Sequence, residues 1–71
     1  MTFAEHLLEL RKKAGLTQTE LAPQIGISWR AYQNYERGQR EPTLSTLVAL
    51  ADFYAISVDE LICHQPKDKK Q

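Results

Sequence analysis

Residues 18–37 read QTELAPQIGISWRAYQNYER, and this stretch decides the fold. Thr17 with Glu20 makes a capping box, which starts a helix by satisfying two orphan amides reciprocally. The segment IGIS (25–28) then supplies a breaker, Gly26, followed by Ser28, an N-cap for a second helix. Two helices this close in sequence must meet at a steep angle. That requires a small residue inside the first and often Gly between them, needs met by Ala22 and Gly26. Leu21, Ile25, Ile27, Tyr32 and Tyr35 are the apolar residues that such a pair turns toward a core.

The second helix of the pair has two unlike sides. At 100° per residue, Trp29, Arg30, Gln33, Asn34 and Arg37 share an arc about 140° wide. Ala31, Tyr32 and Tyr35 fall opposite. The polar side carries Arg, Gln and Asn, whose donors suit base edges: Arg forks onto guanine, and Asn or Gln pairs with adenine in the major groove. Polar residues opposite an apolar stripe are more often a solvated face, so the arc alone is weak evidence.

Outward from this stretch, helix starts are well marked. Thr2 with Glu5 and Ser57 with Glu60 are two further capping boxes, and Thr43 is a simple N-cap. Gly15, Gly38 and Pro42 break the chain between elements, and no segment alternates like a strand. The expectation is an all-α fold of five short helices, at about 3–14, 18–25, 29–37, 44–54 and 58–63. Phe3, Leu7, Leu10 and Ala14 form an apolar stripe on the first helix. Leu44, Leu47, Val48, Ala51 and Tyr54 form one on the fourth, and Val58, Leu61 and Ile62 on the fifth. One element breaks a rule: Pro23 lies inside the second helix, where it should kink or shorten it.

The ordered set LRKKAGLTQTELA, IGIS and YERGQREPTLSTLVALADFYAISVDELI, from about Phe3 to Ile62, resembles the Cro/cI-type (XRE) helix-turn-helix family of phage and bacterial regulators. The set of TQxELA, ERGxRxP, a leucine-rich fourth helix and a final SVDEL is far more specific than the helix pair alone. The resemblance implies a lambda-repressor-like DNA-binding domain, with the third helix reading an operator in the major groove. It implies base-reading roles for Trp29, Arg30, Gln33 and Asn34. Thr17, Gln18, Arg37, Gln39 and Arg40 become phosphate contacts, Gln18 opening the second helix. Arg11 and Glu36 take the positions of a structural salt bridge. Trp29 departs from the family, which usually carries a small or polar residue there. Its ring has a thymine methyl or a sugar, or else the protein surface, to lean on.

Composition bounds the rest. A chain of 71 residues holds one domain, expected over 1–64 with a disordered tail over 65–71. The formal net charge is zero, which counts against nucleic-acid binding. The distribution answers this objection. Residues 11–40 carry Arg11, Lys12, Lys13, Arg30, Arg37 and Arg40 against only Glu20 and Glu36. Lys12 and Lys13 read as a wet helix face. No apolar run approaches ~18 residues and no leader-like start is seen, so a cytoplasmic protein is expected. Cys63 beside His64 lacks zinc-site spacing, and His6 reads as a lone surface histidine, so no metal or cofactor is expected. No nucleophile–base pair is visible, and no enzymatic activity is expected.

So short a domain makes few base contacts, which implies a homodimer on a palindromic DNA site. Phe53, Tyr54, Ile56, Ile62 and Cys63 are the candidate dimer residues; Phe53 alternatively packs under the fifth helix. Rival roles within the same fold are an antitoxin, with a toxin or other protein as partner, and a restriction–modification controller. A protein-interaction module without DNA contact is the rival of a different class.

Overall fold

The computed structural model describes residues 2–63, so the expected tail at 65–71 and His64 lie outside the described residues. Five helices follow in order: α1 (Phe3–Ala14), α2 (Gln18–Gln24), α3 (Trp29–Glu36), α4 (Leu44–Tyr54) and α5 (Val58–Leu61). Among the described residues there is no strand. Each start is built as its sequence directs. Thr2, Thr17 and Ser57 close full capping boxes with Glu5, Glu20 and Glu60. The side chains of Ser28 and Thr43 accept from the backbone of Ala31 and Thr46. Such caps contribute about 1 kcal/mol each to helices too short to persist alone.

Helix α2 runs through Pro23 and ends at Gln24, one residue short of expectation. The chain leaves it through tight bonds, Ile25 N to Ala22 O at 3.2 Å and Gly26 N to Pro23 O at 3.2 Å. Gly26 follows at φ +79°, a left-handed conformation in which a β-carbon is strained, and this turns the chain toward α3. The ends of α3 and α5 also fall short of expectation, at Glu36 and Leu61.

One core joins the helices. Leu7, Leu21, Ala22, Tyr32, Leu50 and Leu61 are completely buried, with Ile25, Tyr35 and Ala51 nearly so. Helix α3 packs on α1 and α2, α4 pairs with α5, and α5 closes back onto α1. Ala22, with no surface left exposed, is the small residue that lets α2 approach its neighbours.

Three expectations are corrected. Ala14 is exposed at the end of α1, where little of the molecule covers it. In α4 the buried side is Thr46, Leu50 and Ala51, while Leu44 is 73% and Val48 42% exposed. The packed face is thus rotated by about 70° from the stripe read in the sequence. Helix α4 carries a broad apolar surface, and the two exposed polar residues Ser45 and Asp52, on one side of the wheel, lie roughly opposite buried Leu50. The one polar residue on the buried side, Thr46, shares a hydrogen bond of 3.1 Å with the Thr43 hydroxyl. His6, finally, is part-buried: its Nδ1 meets the Leu61 carbonyl at 2.9 Å and ties α1 to α5.

Candidate nucleic-acid interface

The site is built around one carboxylate. Glu36, at the last turn of α3, has a side chain only 6% exposed. It accepts from Arg11 Nε at 2.6 Å and Arg11 Nη2 at 3.1 Å, a bidentate pair across to α1. Tyr32 Oη donates to it at 2.6 Å and Gln18 Nε2 at 2.9 Å. Each carboxylate oxygen thus receives two donors, which saturates its acceptor capacity. Arg11 is satisfied further by donating Nη1 to the Leu16 carbonyl at 2.9 Å, in the α1–α2 turn. Three helices and one turn therefore meet at a single charged group. The angle between α2 and α3 is set there.

The electrostatics follow from that geometry. Burial pushes the Glu36 carboxyl up, but the hydrogen bonds from Arg11, Tyr32 and Gln18 outweigh it and leave it below the ordinary carboxylate range. The hydrogen bond to Glu36 raises the Arg11 guanidinium. Burial, then the bond to Glu36, raises the Tyr32 phenol. At neutral pH the cluster is a fixed ion pair with a neutral tyrosine beside it.

Outside this cluster lies the polar arc of α3. Trp29, Arg30 and Arg37 are exposed, Gln33 and Asn34 are half-buried, and Gln39 and Arg40 are exposed in the following turn. Among the described residues, the side chains of Arg30, Gln33, Asn34, Arg37, Gln39 and Arg40 enter none of the hydrogen bonds that knit the helices. Tyr32 and Tyr35, on the opposite side, are buried at 0% and 9% exposure.

Two residues singled out for phosphate contact are already tied internally. The Thr17 hydroxyl caps Glu20 N at 3.1 Å and shares a 3.1 Å bond with Thr19. Gln18 bridges Glu36 and Trp29: its Oε1 accepts from the Trp29 indole Nε1 at 3.2 Å. No local pattern in the sequence signals this link, which joins side chains eleven residues apart. Of the candidate dimer residues, Phe53, Tyr54 and Ile56 pack against the protomer's own core. Phe53 and Tyr54 stack edge to face, with centroids 5.1 Å apart. Ile62 and Cys63 are half-buried just past α5.

A short helix pair held at a fixed angle, with an open polar face on its second member, defines the helix-turn-helix class. The helix-turn-helix family profile matches residues 7–61, and the chain belongs to that family, in its XRE-type branch. The transcriptional repressor RstR of the cryptic phage CTXphi in Vibrio cholerae serotype O1 is 41% identical over 71 residues, covering 100% of this chain. The chain spans 63% of the length of that relative. The P22 c2 repressor, solved in complex with a synthetic operator, superposes with a TM-score of 0.82 at 31% identity, over 87% of this chain and 94% of that one. The restriction–modification controller C.AhdI of Aeromonas hydrophila gives 0.77 at 37% identity, over 83% and 89%.

Proposed function

We propose that the chain is a sequence-specific DNA-binding regulator, a repressor that occupies an operator with α3 in the major groove. One observation carries this reading: among the described residues the side chains of Arg30, Gln33 and Asn34 make no hydrogen bond, Arg30 exposed and the other two half-buried, on a helix whose opposite side is locked. Arg30 suits guanine and Asn34 or Gln33 adenine, the bidentate pairings that the major groove rewards. Arg37, Gln39 and Arg40, with Thr17 and Gln18, supply backbone contacts that set register without reading sequence. The charge division supports it. Six cations stand against two acids in residues 11–40, while Glu5, Glu9, Glu41, Asp52, Asp59 and Glu60 lie outside that basic stretch.

The regulator acts without enzymatic chemistry and in the cytoplasm. No described helix is long and apolar enough to cross a membrane. It works as a homodimer whose two α3 helices, about 34 Å apart, read a palindrome. Ile62 and Cys63, with the outer edges of Phe53, Tyr54 and Ile56, supply the contact between protomers.

Selection of bound sequences from a random DNA pool tests the reading. A symmetric site should be enriched, and Arg30→Ala with Asn34→Ala should abolish the preference while leaving salt-dependent binding to any duplex. Truncating either base-reading side chain alone should weaken specific binding by about 1–3 kcal/mol. A chain that enriches no sequence, or binds DNA without salt dependence, sinks the assignment.

A further inference from the structure

The side of α4 turned away from the core is not polar throughout. Leu44 is 73% and Val48 42% exposed, one turn apart on the same side of the helix. Leu47, next to them on the wheel, lines a groove of about 250 Å³ with Phe3, Glu41, Pro42 and Ile62. Apart from Glu41 that lining is apolar, and it comes from α1, the loop before α4, α4 itself and the chain just past α5. Exposed acids stand round the patch: Glu41 on the groove, Asp52 one turn beyond Val48, and Asp59 one turn before Ile62. Residues 41–63 hold no Lys or Arg. The nearest cations in sequence, Arg37 and Arg40, line the neighbouring cleft with Glu5 and Tyr35.

We infer that this face docks a basic amphipathic helix of a partner protein. Its apolar residues seat on Leu44, Leu47 and Val48 and in the groove, and its Lys and Arg meet the acids. An apolar centre with a charged rim is the layout of a specific protein contact. The sign of the rim selects the occupant. A second copy related by a twofold axis presents the same patch, so Glu41, Asp52 and Asp59 would meet acids, and no cation of 41–63 offsets them. Duplex DNA, a polyanion, is repelled on the same ground. A helix with apolar residues every three or four positions matches the ridge, because Leu44, Leu47 and Val48 are spaced that way themselves. Of the residues given above to the contact between protomers, Ile62 alone lines this groove. Phe53 stands about 140–180° away round α4. The inference holds whether or not α3 reads DNA.

The test titrates the full chain with three synthetic peptides. The first is a helix with Leu on one face and Lys on its flanks, the second carries Glu in place of Lys, and the third scrambles the first. The Lys peptide should bind once per chain, about tenfold or more tighter than either of the others, and more weakly as salt rises. Leu44→Ala with Val48→Ala should cut that affinity by about tenfold or more, since both side chains leave water in the complex. The same variant should bind a random duplex as the wild type does, which shows that its fold is kept. Glu41→Lys with Asp52→Lys should reverse the preference, so that the Glu peptide binds the better. Equal binding of the Lys and scrambled peptides, binding that survives Leu44→Ala with Val48→Ala, or an unreversed preference each overturn the proposal. A dimer seen by sedimentation that Leu44→Ala with Val48→Ala dissolves also overturns it, because a second copy then covers the face.

Discussion

The two halves of the molecule share one apolar core, but only one of them adds a charged cluster to it. Helices α1, α2 and α3 bury Leu7, Leu21, Ala22, Tyr32 and Tyr35 and also converge on a buried carboxylate with four donors, whose directional bonds orient them. Helices α4 and α5 are joined through Leu50, Ala51 and Leu61, which are apolar and non-directional. The division matches the work each half is given. On the proposed reading, an interface that presents donors to base edges gains from bonds that specify orientation. A supporting half needs only to fill space. The charges differ as well: residues 41–63 carry four acids and no Lys or Arg, whereas 11–40 carry six cations against Glu20 and Glu36.

The sharpest way to break this contrast is to remove the carboxylate. Glu36→Ala strands the Arg11 guanidinium, whose side chain is 16% exposed, along with the Tyr32 hydroxyl and the Gln18 amide. Taking one partner from a buried pair costs about 3–5 kcal/mol, and for a domain this small that is much of its stability. Thermal melting should show it as a fall of well over 10 °C, at about 4–8 °C per kcal/mol. A fall of only a few degrees would mean that apolar packing holds this half too.

In the other half, Leu50→Ala should cost about 2–5 kcal/mol through reduced burial and the cavity left behind. It differs from Glu36→Ala in its pH response. The Glu36 carboxyl is held below its usual value, so its contribution is complete above about pH 4.3 and is lost as pH falls through the lowered value. Leu50→Ala should therefore keep the wild-type acid limb, displaced downward throughout. Glu36→Gln should flatten it, because an amide has no proton to gain. Equal acid limbs in the two variants would disprove the placement of that ion pair.

How far the sequence revealed these halves depends on how local each signal is. All five helix starts were legible, because a cap is written within four residues: Thr2, Thr17, Ser28, Thr43 and Ser57 each bond as their spacing demands. The two-sided character of α3 was legible for the same reason, since about 100° and 200° of the wheel separate Tyr32 from Gln33 and Asn34. Arg11 with Glu36 came only through resemblance, because a pair spanning 25 positions leaves no local trace. The bond from Trp29 to Gln18 and the His6 contact with Leu61 were invisible on the same ground. The face of α4 is blurred for a different cause. Its apolar residues spread over too broad an arc to give one centre, although Ser45 and Asp52 mark the exposed side, and only the neighbours decide that Thr46 goes in and Leu44 stays out.

That rotation of α4 gives a gentler test. Leu44→Ala and Val48→Ala should each change stability by no more than about 0.5 kcal/mol, the usual range for exposed sites. Leu50→Ala, on the buried side, should cost several times more. If Leu44→Ala proves as damaging as Leu50→Ala in melting of the isolated protomer, the helix sits in the register first read from its sequence.

The smallest effect, and the one with an unusual sign, lies where the halves meet. Tyr54, at the end of α4, buries its hydroxyl, and among the described residues that oxygen has no hydrogen-bond partner. A buried hydroxyl left unpaired costs roughly 1–3 kcal/mol relative to one in water, whereas its ring contributes packing against Phe53. Tyr54→Phe keeps the ring and deletes the liability, so it should be neutral or stabilising where most core substitutions destabilise. The alkaline limb gives a second reading of the same atom. Burial pushes the Tyr54 phenol up to about 12, above its value of about 10 when unfolded. A raised value means that the stabilisation is complete below about pH 10 and is lost as pH rises toward 12. Tyr54→Phe should weaken that alkaline loss, leaving the share due to Tyr32, whose phenol is raised by burial as well. A clear drop in melting temperature at neutral pH would show instead that the hydroxyl has a partner, and that this half carries a directional bond beyond those of Thr46 and Leu61.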